Sequence, residues 1–133
     1  MDDTDWAIVR ALRENAKTSN VDLAKALNLS EGAVRHRIQL LEQNKAIQRY
    51  TILSGAGANG VVAIKCNPKT PTNQVVRQLQ EIGAARIAEI AGEFDVLCWL
   101  EARSPSELND LIEKIRVLKD VKEARLFTVL KQH

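Results

Sequence analysis

The residues with the most chemical character in this 133-residue chain are few. Ser30, Arg35, His36, Arg37 and Gln39 fall within ten positions of one another. Arginine, histidine and glutamine side chains donate to guanine, to other base edges and to phosphate oxygens. A serine that opens a helix can join the free N–H groups there in holding a backbone phosphate. This set is suited to reading nucleic acid rather than to bond making. Gly92-Glu93-Phe94-Asp95 is a second candidate. Backbone N–H groups near Gly92 could take a ligand carboxylate, and Asp95 could take its ammonium group. The remaining candidates are weaker. Gly55-Ala56-Gly57-Ala58-Asn59-Gly60 spells a dinucleotide fingerprint, but a β-branched stretch follows where a phosphate-holding helix is required. Cys66 and Cys98 sit within apolar strand-like runs and read as buried thiols, not as a metal pair. His133 is terminal and His36 lies in the basic segment, so the chain's two histidines offer no Ser/His/Asp or Cys/His set. Glu89, Glu93 and Glu101 read as exposed strand or turn positions. No enzyme activity and no cofactor are expected.

Local charge supports the first site. The whole chain carries only +2. Residues 1–34 sum to −2, whereas residues 35–49 sum to +3. It is the local field that draws phosphate.

Three helices are needed to position that site. Asp2 and Asp5 resemble a capping box that opens the first, whose apolar stripe is Ile8, Val9 and Leu12. Ser19 opens a second of about two turns that stops near Asn28, a residue tolerant of the left-handed conformation. Ser30 opens the third, with Val34, Ile38 and Leu41 on one face. A short helix, a tight turn and a basic helix form a helix-turn-helix. Its third helix, ~14 residues and about 21 Å long, is sized for the DNA major groove.

Residues 46–53 switch to a β-type pattern, and 54–60 read as a loop at a domain boundary. The rest reads βαββαβ, the ferredoxin-like order. Strands are expected at 61–66, 84–91, 94–102 and 121–130. Thr70-Pro71 is expected to cap one helix, and Ser104-Pro105-Ser106-Glu107 to form a capping box for the other. The fold class is therefore α+β. Residues 1–46 make a helix-turn-helix domain, 47–60 a hinge strand and loop, and 61–133 a ferredoxin-like domain. No apolar run reaches the ~18–20 residues of a membrane span, and the acidic N-terminus is no secretory signal. A cytoplasmic location is expected.

With these elements in place, the chain resembles the Lrp/AsnC, or feast/famine, family of transcription regulators. The resemblance is carried by Asp2 and Asp5, by Leu12 with Asn15-Ala16-Lys17, and by Leu23-Ala24 with Leu29-Ser30. It continues through Val34-Arg35-His36-Arg37-Ile38, Leu41-Glu42, Ile47, Tyr50, Gly92 and Asp95. It implies a winged-type helix-turn-helix domain on a ferredoxin-like regulatory domain, with double-stranded DNA as partner. It also implies homodimers assembling further, in the family often to octamers, and an amino-acid-type effector held near Gly92 and Asp95. Two departures stand out. Lys45 replaces a glycine common in the family, which leaves Asn44 to take the left-handed position. Ala124 and Leu126 stand where hydroxyl residues often meet the effector, which points to an apolar ligand or none. Two alternatives follow. One is an effector-independent architectural DNA binder. The other is an enzyme like the siroheme decarboxylases, which resemble this family in both domains; the lack of histidine in residues 51–132 argues against it.

Overall fold

The structure is a computed structural model that describes residues 1–133. The chain divides into two compact units, Met1–Leu53 and Ser54–His133.

Unit 1 holds α1 (Asp3–Glu14), α2 (Asn20–Leu27) and α3 (Glu31–Gln43). Each begins where a short polar side chain satisfies an orphan N–H. The Asp2 carboxylate accepts from Asp5 N–H at 2.8 Å, and Asp5 accepts in return from Asp2 N–H at 3.1 Å. Ser19 accepts from Asp22 N–H and Ser30 from Ala33 N–H, both at 3.1 Å. Asn28 ends α2 at φ 55°, ψ 47°, the left-handed conformation that the turn requires. Ile8, Leu23, Ala24, Val34 and Leu41 form the buried centre, with Val9, Leu12, Leu27 and Ile38 packed around it. The end of α3 differs from expectation. Asn44 stays at φ −85°, and it is Lys45 that adopts φ 61°. The Asn44 side chain is engaged instead as an acceptor for Ala46 N–H.

Unit 2 is a four-stranded antiparallel sheet in the order β2-β3-β1-β4. Its elements are β1 (Ala58–Cys66), α4 (Thr72–Ile82), β2 (Arg86–Glu89), β3 (Val96–Ala102), α5 (Pro105–Arg116) and β4 (Val121–Thr128). Both helices pack on one face. That face supplies the core: Val62, Ile64, Cys98, Leu100, Val75, Leu79, Ile112 and Ile115. Registry across the sheet puts Val61 between Trp99 and Phe127, on the opposite face.

Four local expectations are corrected. Residues 46–53 form no strand: the sheet is made of β2, β3, β1 and β4 alone, and an alternating pattern without a paired edge gives no ladder. The expected loop at 54–60 is shorter, since Ala58, Asn59 and Gly60 already belong to β1. Two of its glycines are demanded by packing. A Cβ on Gly57, at φ +76°, would lie 2.1 Å from the Ala102 carbonyl oxygen, and one on Gly60 would lie 2.6 Å from Leu126 Cδ1. Thr70 does not cap α4; its hydroxyl donates to the buried Asp120 carboxylate at 3.0 Å, and Pro71 takes the cap position without a side-chain bond. In α5, Ser104 accepts from Glu107 N–H as expected. The reciprocal bond, however, goes one residue further back, from Arg103 N–H to Glu107 Oε2 at 2.7 Å.

Candidate nucleic-acid interface

The helix α3 sorts its side chains by angle. At about 100° per residue, Val34, Ile38 and Leu41 converge on the core of unit 1, where Val34 and Leu41 are buried. Arg35, His36 and Gln39 point the other way, and all three are exposed. Ser30 is exposed at the helix start, its oxygen accepting from Ala33 N–H while its O–H remains a donor. Arg35, His36 and Gln39 thus share one outward face along the middle of the helix, with Ser30 at its N-terminal end.

The two arginines differ in engagement. Arg35 pairs with Glu31 one turn earlier, and its side chain is 59% exposed. Such an exposed i,i+4 pair is weak and readily exchanged for a phosphate. Arg37 is 30% exposed and reaches inward. Its Nη1 donates to Asp2 Oδ1 and Oδ2 at 2.9 and 2.8 Å and to Asp5 Oδ1 at 2.8 Å. The Arg37 guanidinium, followed by the Asp5 N–H, holds the Asp2 carboxyl below its ordinary value, and the two acids raise Arg37 in turn. The excess of positive charge counted along residues 35–49 is therefore partly compensated in space.

This pairing was missed at the sequence level, although a signal existed. Positions 34, 37 and 41 stand at i, i+3 and i+7, so Arg37 lies on the flank of the core-facing stripe and not opposite it. What the chain does not reveal locally is the partner, 35 residues away.

The segment after α3 is tethered. Ile47 N–H donates to Leu41 O at 2.9 Å. Tyr50 Oη donates to Glu42 Oε1 at 2.8 Å. Partial burial and then the bond to Glu42 push the Tyr50 phenol up to about 12.

In unit 2 the Gly92 turn is built around Asp95. Gly92 has φ +143°. Asp95 Oδ2 accepts from Cys66 N–H at 2.8 Å, its N–H donates to Ile64 O, and its carbonyl accepts from Ile90 N–H. Asp95 thus fastens the end of β1 to the turn. Arg125 lies over the Phe94 ring at 5.2 Å, with its Nη2 3.9 Å from Glu93 Oε1. Ala124 and Leu126, on the same strand, turn to the other face and pack against the core. Both cysteines are buried. Burial pushes Cys98 up to about 11, and burial with the nearby Asp95 raises Cys66.

A helix-turn-helix followed by a ferredoxin-like sheet, with an exposed polar face on the third helix, defines a two-domain transcription regulator. Comparison with known proteins agrees. The AsnC-type helix-turn-helix domain matches residues 1–42. The chain is 33% identical over 135 residues to the HTH-type transcriptional regulator LysM of Sulfurisphaera tokodaii, covering 98% of this chain and 96% of that protein. A feast or famine regulatory protein of M. tuberculosis, solved in complex with L-methionine, superposes with a TM-score of 0.77 at 27% identity. That match covers 98% of this chain and 92% of the other. A 73-residue stretch is also 38% identical to homocitrate synthase of Sulfurisphaera tokodaii, taking in 54% of this chain and 16% of that enzyme. This protein belongs to the Lrp/AsnC family of DNA-binding transcriptional regulators. No helix is long and apolar enough to cross a membrane.

Proposed function

We propose that this regulator binds double-stranded DNA sequence-specifically through α3 and that an amino-acid-type effector tunes its assembly or affinity. The observation that carries the first half is the outward face of α3, where Ser30, Arg35, His36 and Gln39 are exposed together. Ser30 and the first N–H groups of α3 take a backbone phosphate. Arg35, His36 and Gln39 reach base edges or flanking phosphates.

The second half is supported by the L-methionine complex of the M. tuberculosis relative. The homocitrate synthase match is longer than the whole of Met1–Leu53, so part of unit 2 has a counterpart in an enzyme as well as in regulators. Gly92 supplies backbone N–H groups in its turn and Asp95 a carboxylate, the donors and acceptor that an amino acid needs.

Assembly supplies the missing partners of unit 2 and the hinge. Phe127 is 57% exposed and sits beside Val61 and Trp99 on the helix-free face of the sheet. Ile52 and Leu53 are 78% and 92% exposed. A homodimer that pairs these surfaces would bury them and present two α3 helices to half-sites. Higher assembly to an octamer follows the same logic, in the cytoplasm where the DNA lies.

A second reading has its own support. Asp95 Oδ2 is already engaged by Cys66 N–H, and Ala124 and Leu126 face the core. An effector-independent architectural binder would look the same. Fluorescence anisotropy on the protein's own upstream DNA and on scrambled DNA separates the two, at physiological salt with and without pooled amino acids. Preferential binding that shifts with amino acids is the expected result. Equal binding to both DNAs, unmoved by amino acids, would favour the architectural reading.

A further inference from the structure

Arg37 does not behave like its neighbour. Arg35 meets one acid on the surface of its own helix. Arg37 meets two acids at the start of another helix, the cap residue Asp2 and Asp5 in its first turn, and the Asp5 side chain is only 17% exposed. Those two acids are also the two halves of the capping box that starts α1. Each carboxylate therefore does two jobs. It satisfies a backbone N–H at the start of α1, and it receives the guanidinium from α3. The Arg37 Nη1 makes all of the contacts to Asp2 and Asp5, so one charged nitrogen bridges the two carboxylates.

We propose that Arg37 is a positioning residue withheld from DNA: it fastens the start of α1 to the flank of α3 and thereby sets the attitude of the Arg35, His36 and Gln39 face. The inference rests on the reading of α3 as the DNA-contacting helix. It assigns the two arginines of one short motif to opposite tasks. It also gives Asp2 and Asp5, two acids beside a surface that meets a polyanion, a reason to be there. Together the three groups carry −1, so the cluster repels phosphate. It can support binding only through the geometry it maintains.

The test uses the full-length protein and its own upstream DNA, with affinity measured across a salt series at a temperature where circular dichroism shows each variant folded. Wild-type binding comes first, because absence of binding there would overturn the function itself and not this assignment. Arg37→Gln is expected to weaken binding about fivefold or more. The slope of log affinity against log salt should stay unchanged, since no phosphate contact is lost. A direct phosphate contact would lower that slope by about 0.9, and this would overturn the proposal. An unchanged affinity in a folded Arg37→Gln protein would overturn it too, by reducing the cluster to a stability element.

The pair Asp2→Asn and Asp5→Asn keeps the fold testable if Arg37→Gln does not fold, because asparagine also caps helices. If the acids acted only as charges, removing them beside DNA would tighten binding. The proposal expects weaker binding, because Arg37 is no longer held. It further expects Arg37→Gln to change affinity less than about twofold when added to that pair. An equal loss in both backgrounds would show that Arg37 acts on DNA without the acids.

Discussion

Tyr50 is the only tyrosine in the chain, so its ionisation can be followed directly by ultraviolet absorbance. Its phenol is half-exposed, yet partial burial and the bond to Glu42 place it at about 12. The fold thus favours the neutral phenol. The stabilisation is complete below the ordinary value of 10 and is lost as pH rises through about 12. The expected midpoint is near 12, and Glu42→Gln should move it back toward 10; a native midpoint of 10 would mean that the Tyr50–Glu42 tether does not form in solution. Asp2 has the opposite sign. Arg37 holds its carboxyl below 3.8, so its contribution is present above that value and is lost as pH falls through the lowered one. Arg37→Gln should return Asp2 toward 3.8 and flatten the acid limb of unit 1 unfolding, followed by α-helical circular dichroism. An unchanged limb would contradict the ion pair.

At the scale of the element, what could be read in advance was what is decided locally. The caps at Asp2, Ser19 and Ser30, and the left-handed Asn28, lie within a few residues of the groups they serve. Their chemistry is written next to the helix. The misreadings share a different cause. Thr70 looked like a cap because Pro71 follows it, but its hydroxyl goes to Asp120, fifty residues on. Arg37 carries the same local signal for guanine or phosphate as Arg35, and nothing near it in the chain announces the acids it meets, Asp2 and Asp5, more than thirty residues away. Tertiary partners override local signals wherever a polar side chain has a choice. Lys45 is the sharpest local test. It holds φ 61°, a conformation that costs a non-glycine residue roughly 1 kcal/mol. Lys45→Gly should raise the stability of unit 1 by up to about 1 kcal/mol, measured by urea unfolding. A loss of stability would show that the lysine side chain contributes more than its backbone costs. Ser104→Ala should cost unit 2 about 1 kcal/mol, since Glu107 N–H loses its acceptor.

At the scale of the whole molecule, the βαββαβ order and the placing of the core under two helices were legible from periodicity alone. The β-type pattern of 46–53 was legible as pattern but not as structure. A strand needs a neighbouring edge, and alternating side chains do not say which chain supplies it. In the homodimer proposed above, a second copy would cover the exposed Ile52, Leu53 and Phe127. Phe127→Lys is expected to shift the light-scattering mass in solution toward the monomer while each unit stays folded. An unchanged oligomer would place the interface elsewhere. The central claim is that the outward face of α3 reads DNA. The most direct measurement compares wild type with Arg35→Ala and Gln39→Ala on the upstream DNA and on scrambled DNA at one stated salt concentration. The account predicts that each substitution removes about 1–3 kcal/mol of preference for the specific site. Unchanged preference in both variants would contradict the assignment of α3 as the reading helix.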